Sequence, residues 1–174
     1  MTSYNFFKLL KSHTVIFFHF QGYRFFNQMN KHSLETRDKY LHFTHIQTRW
    51  MDNDIYGHVN NVTYYSYFDT VVNNFLIDVC DFNPHEDEVV GIVVETMCSF
   101  KKPISFPDQI NLGLRISKLG KTSIRYEVGV FREGENEASA SGYFIHVFVD
   151  RRTNKPVSIP DSYRKSLERI QCSK

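Results

Sequence analysis

The sequence predicts an α+β domain in which about five mostly antiparallel strands curl around one long helix. Three observations lead there. Residues 62–80 repeat apolar side chains at helical spacing, four strand-like runs follow with turn signals between them, and no second long helical pattern occurs. A helix apolar enough to be largely enclosed is buried most efficiently by a sheet that wraps it.

The first strand is expected from His42 to Trp50, where Phe43, His45, Gln47 and Arg49 alternate with Thr44, Ile46, Thr48 and Trp50. Asn60 or Asn61 then supplies an N-cap, because a short amide side chain accepts from the free N–H groups of a first helical turn. Val62, Tyr65, Phe68, Val72, Phe75, Leu76 and Val79 form the apolar stripe of the helix, and Asp81-Phe82-Asn83-Pro84 ends it. Strands are expected at Val89–Phe100, Gln109–Leu119, Ser123–Arg132 and Ala138–Asp150. The connections around Gly120 and Gly134 suit hairpins. A short polar helix is expected from Asp161 to Ile170. Three segments result: an N-terminal extension over residues 1–35, a globular domain over 40–156 and a tail over 157–174. An edge strand of the sheet would be free to pair with a second copy of the chain.

Composition narrows the function. The chain has 174 residues and a formal net charge of +2, with 21 basic and 19 acidic side chains. Residues 1–34 contain Lys8, Lys11, Arg24 and Lys31 and no acid, so the remainder holds 17 basic against 19 acidic side chains. That body has no basic excess to favour nucleic acid. No run approaches the roughly 18 consecutive apolar residues of a membrane span. Cys80, Cys98 and Cys172 form no CxxC pair, so neither a structural zinc site nor a dithiol redox site is indicated. A reducing, cytoplasmic setting is expected, or a mitochondrial one if the first 30 residues act as a presequence.

The chemistry concentrates in Arg49-Trp50-Met51-Asp52-Asn53-Asp54-Ile55-Tyr56-Gly57-His58-Val59-Asn60-Asn61, immediately ahead of the helix. Carboxylates there lie beside a helix start, whose N–H groups are free to bind an oxygen anion. A base next to an oxyanion site is the minimum equipment for hydrolysing an acyl bond. Asp54 is the candidate catalytic residue, and Asp52 is expected to bond the turn backbone. The run partly imitates a calcium loop through Asp52, Asp54 and Gly57, but Tyr56 and Thr63 stand where ligands are required. His42, His45 and His58 do not make a metal set, since His42 and His45 face opposite sides of a strand. No metal and no cofactor is expected.

These residues are similar to the hot-dog-fold thioesterases of the 4-hydroxybenzoyl-CoA thioesterase-like family. The likeness covers roughly residues 44–155. It is carried by Arg49-Trp50-x-Asp52-x-Asp54-x-x-Gly57-His58-Val59-Asn60-Asn61-x-x-Tyr64-x-x-Tyr67-Phe68-Asp69 and by Phe100-Lys101-Lys102-Pro103-Ile104-x-Phe106-x-Asp108. The resemblance implies a curved five-stranded sheet around one central helix, and a dimer or tetramer with active sites at the subunit interface. It also implies that the second acid of the Asp-x-Asp pair, Asp54, is the catalytic one. Whether Asp54 activates water or attacks the carbonyl stays open. The amides of Gly57, His58 or Val59 are candidates for holding the thioester oxygen. Asn60, Asn61 and Tyr64 complete the expected substrate-binding set; capping is the competing role for the two amides, aromatic core packing for Tyr64 and backbone bonding for the His58 ring. Lys101, Lys102, Lys118, Lys121 and Arg125 are candidates to meet the phosphates of coenzyme A.

The expected function is hydrolysis of a small aromatic or short- to medium-chain acyl-CoA to free acid and CoA. Three competing readings are a non-catalytic acyl-CoA-binding or interaction dimer, a thioesterase acting on acyl carrier protein, and a dehydratase with His58 as base.

Overall fold

The computed structural model describes residues 35–172, so the expected N-terminal extension lies outside the described residues but for Glu35. Five strands form one antiparallel sheet: β1 (His42–Gln47), β2 (Val89–Phe100), β3 (Gln109–Leu119), β4 (Ser123–Arg132) and β5 (Ala140–Asp150). Their order across the sheet is β1-β3-β4-β5-β2. The long helix α1 (Asn61–Cys80) connects the two edge strands, and a short helix α2 (Asp161–Glu168) closes the chain. This is the sheet wrapped on a helix that the apolar pattern predicts.

The concave face holds the main core. Leu112, Leu114 and Ile116 of β3, Tyr126, Val128 and Val130 of β4, and Phe144 and Phe148 of β5 meet Phe68, Val72 and Phe75 of α1. Fully burying one such side chain stabilises the fold by about 1.5–3 kcal/mol. The buried stripe of α1 is turned from the expected one. Tyr64, Tyr67 and Val71 are buried with Phe68, Val72, Phe75 and Leu76, whereas Val62 and Val79 are exposed. A tyrosine hydroxyl that finds a buried partner is as good an inward residue as a valine, and hydrophobic periodicity alone does not weigh that. Asp81 ends the helix in the left-handed conformation, with φ 58°.

β1 ends at Gln47, three residues earlier than the alternation suggests, because Trp50–Asp52 forms a 3-10 turn. As expected, His42 and His45 diverge. The His42 ring packs edge-on against Phe75 and His45 is exposed.

Both expected domain boundaries are too narrow. At the front, Ala138 N–H donates to Glu35 O at 2.9 Å and Arg37 N–H to Asn136 O at 3.1 Å. Tyr40 packs on the outer face of the sheet against Phe131 and Ala138. Gly113 and Gly129, paired in register, make room for it. A Cβ on either would lie 2.7 Å from the Tyr40 ring. At the back, α2 and the residues after it bury Tyr163, Leu167 and Ile170 in the main core. The tail is therefore part of the domain, with Cys172 N–H and Ile116 O bonded at 2.9 Å beyond the end of β1.

One buried polar group weakens the core at low pH. His146 on β5 is buried, its ring lies edge-on to Tyr126, and neither ring nitrogen has a hydrogen-bond partner among the described residues. Burial disfavours the imidazolium and lowers its pKa from 6.5 to about 4. The unfolded chain takes up that proton first, so stability is lost as pH falls from about 6.5 towards 4, by up to about 3 kcal/mol. Urea denaturation followed across that range is expected to show the loss, and His146→Leu to flatten it.

Candidate active site

Asp52 and Asp54 are separated by one residue and have opposite environments. Asp52 is buried and saturated with donors. Its Oδ2 accepts from Arg49 N–H at 2.7 Å and from the Tyr67 hydroxyl at 2.7 Å. Its Oδ1 accepts from Arg49 Nε at 3.0 Å and lies 2.8 Å from Arg49 Nη2. Burial opposes its charge, but the Arg49 and Tyr67 hydrogen bonds outweigh burial and hold the carboxyl below its usual range. The turn-bonding role expected of Asp52 is present and extends to the helix through Tyr67. Asp52 O also accepts from Asn60 N–H at 2.8 Å, which joins the motif to the helix cap.

Asp54 is only partly buried, so the desolvated acid of the pair is Asp52. Asp54 Oδ1 accepts from Tyr56 N–H at 2.8 Å, and its backbone closes the loop through Gly57 N–H and His58 O. Asp54 Oδ2 accepts no hydrogen bond among the described residues. The residue thus caps a turn with one oxygen and keeps the other. Gly57 permits the loop by adopting φ 79°; a Cβ there would meet nothing within 4 Å, so conformation rather than space requires glycine.

Hydrogen bonding sorts the candidate oxyanion donors. Gly57 N–H donates to Asp54 O at 3.0 Å and Val59 N–H to Ile104 O at 2.7 Å, so both amides are engaged within the fold. His58 N–H has no acceptor among the described residues, and neither has Asn61 N–H at the first position of α1. Asn60 is the cap, with its Oδ1 accepting from Val62 N–H at 3.2 Å. The His58 ring is exposed and bonds no backbone, contrary to the structural role that competes for it.

A cleft of 310 Å³ lies over these groups, walled by Asp54, His58, Val59, Asn61 and Tyr64 of the motif and the helix that follows it. Phe100, Lys101, Lys102 and Pro103 form the rest of its lining. Tyr64 does double duty: it is buried, packs edge-on against Phe100 at 5.0 Å, and still reaches the cleft. Desolvation comes first among the influences that push its hydroxyl pKa up to about 12. Of the five basic residues expected to meet coenzyme phosphates, only Lys101 and Lys102 wall the cleft. Lys118 and Lys121 flank the β3–β4 turn, and the Arg125 guanidinium stacks 3.5 Å from the Tyr143 ring centroid.

Asn53 escapes sequence reading altogether. Its Oδ1 accepts from Phe106 N–H at 3.0 Å and ties the motif to the loop after β2. No periodicity or spacing marks it, because its role exists only once two distant segments meet.

The two family-like stretches of the sequence are therefore the two walls of one cleft. The model of the thioesterase-like superfamily matches residues 48–167. The PA5185 protein from Pseudomonas aeruginosa strain PAO1 is 50% identical, with TM-score 0.79 over 80% of this chain and 98% of that one. The BH1999 gentisyl-coenzyme A thioesterase is 26% identical, with TM-score 0.65 over 72% of this chain and 99% of that one. The long-chain acyl-CoA thioesterase FadM of Escherichia coli strain K12 is 24% identical over 73% of this chain and 97% of that protein.

Removing the Tyr67 hydroxyl strips a buried carboxylate of one donor. Tyr67→Phe is expected to cost about 1–3 kcal/mol of unfolding free energy, read from the urea midpoint at neutral pH.

Proposed function

The chain belongs to the thioesterase-like superfamily, and from that premise we propose that it hydrolyses acyl-CoA thioesters at the cleft walled by Asp54. The observation that carries this reading is a partly buried carboxylate, one oxygen unbonded, and the unengaged amides of His58 and Asn61 at the lining of one crevice. In the reaction, Asp54 activates water or adds to the thioester carbonyl, and the two amides take the developing oxyanion. The thiolate leaves readily, since a thiol pKa is about 8.5, so no strong general acid is needed. His58 and Tyr64 line the path of the substrate, with Gly57, Val59 and Asn60 shaping the loop that presents the donors. The acyl groups that fit are small aromatic or short- to medium-chain ones lying against Tyr64 and Phe100.

A second copy completes the picture. β2 is an edge strand, and Ile92, Val93, Val94 and Met97 on it are exposed in the single chain. Ile55 and Tyr56, beside Asp54, are 93% and 79% exposed. An apolar edge of this kind is costly in water and suits pairing with its own copy. The resulting two-fold dimer would cover Asp54 and dry its cleft. Replacing Ile92 and Val94 together by Lys is expected to halve the mass measured by analytical ultracentrifugation.

Thiol release from a panel of acyl-CoAs tests the activity. Asp54→Asn is expected to lower kcat by on the order of 10²–10⁴, with an unchanged melting temperature. Turnover that survives the substitution would remove Asp54 from the mechanism, and absence of turnover on every thioester would favour a binding module.

A further inference from the structure

Two lysines wall the cleft with Asp54, and the fold treats them differently. Lys102 Nζ is bracketed by Glu135 Oε2 and Glu137 Oε2, each at 3.4 Å. Arg132 Nη1 lies 3.5 Å from Glu135 Oε1 as well, so the charge of Lys102 is already met within an ion-pair cluster. The backbone N–H groups of both donate to Ser139 O, at 2.8 Å from Lys101 and 2.9 Å from Lys102, so the difference lies in the side chains. The Lys101 side chain is partly buried beside Phe100 and Pro103, and its ammonium has no acidic partner among the described residues. An ammonium without an acidic partner gains by meeting an anion.

We infer that Lys101 is a specificity-determining residue that selects thioesters carrying an anionic group on the acyl side, a carboxylate at the end of a short chain being the simplest. The inference rests on reading the cleft as a thioesterase site. Its volume of 310 Å³ corresponds to a sphere about 8 Å across. Asp54 and Lys101 both wall that space. The pyrophosphate of coenzyme A lies at the far end of the pantetheine arm, on the order of 15 Å from the sulfur when extended at ~3.5 Å per residue-length of chain. The first anion of the carrier therefore falls outside the cleft. A carboxylate two to four carbons from the carbonyl falls inside.

The test uses the full chain and four substrates: glutaryl and pentanoyl thioesters, each on coenzyme A and on N-acetylcysteamine, which has no phosphates. The unmodified protein is expected to prefer glutaryl over pentanoyl on both carriers. Lys101→Met is expected to reduce that preference in kcat/KM about tenfold, chiefly through KM, and Lys101→Arg to retain most of it. Melting temperature reports whether the backbone tie to Ser139 survives. Equal losses on all four substrates would overturn the inference, as would an unmodified protein without preference for glutaryl. A loss that follows coenzyme A whatever the acyl charge would overturn it too, by giving the ammonium to the phosphates. Absence of turnover on all four, with turnover of an aromatic acyl-CoA, would overturn the inference and leave the thioesterase reading standing; absence on every thioester would remove that reading itself.

Discussion

A buried carboxylate, Asp52, holds the site together. It receives four contacts from Arg49 and Tyr67 and, through its backbone oxygen, a fifth from Asn60. Together the contacts join three pieces: the turn after the first strand, the interior of the long helix and the helix cap. A buried charge is tolerated only when paired and fully hydrogen-bonded, so the three pieces are constrained together. Asp54, two residues on, inherits its position relative to the helix start from that node.

A second set of ties sets the width of the cleft. Val59 N–H reaches Ile104 O, Asn53 accepts from Phe106 N–H, and the Thr48 hydroxyl donates to Asp108 O at 2.6 Å. Trp50 adds an edge-on ring contact with Phe106. The loop bearing Asp54 is thereby stapled to the loop bearing Lys101 and Lys102, and the acid and the bases face a common space. One of these ties engages the Val59 amide, and the loop's own closure onto Asp54 O engages that of Gly57, which leaves His58 and Asn61 as donors. A hydrogen bond spent on positioning is not available for chemistry.

Much of this is legible in the residues. Three of the five strand ranges agree with the alternation and turn signals, because Pro103, Asp108, Gly120 and Gly134 mark turns within a few residues of their ends. The Asp52-x-Asp54 pair and the helix cap stand out for a similar reason: short polar side chains ahead of an apolar run have little else to do. The buried face of α1 is less legible. Tyr64 and Tyr67 carry hydroxyls that count against burial until a partner is known, and the partner of Tyr67 lies in another element. Asn53 and the outer strap around Tyr40 fail for the same reason, since their contacts lie 53 residues away or more.

Local pattern by itself determined the element types, the location of the acidic motif at a helix start and the family likeness, since each depends on residues within one turn or one strand of one another. Only the tertiary structure decided which acid is buried, which amides remain unengaged and which lysine lacks a partner. Those properties belong to contacts between segments far apart in the chain, and a carboxylate or an ammonium acquires its chemistry from what surrounds it.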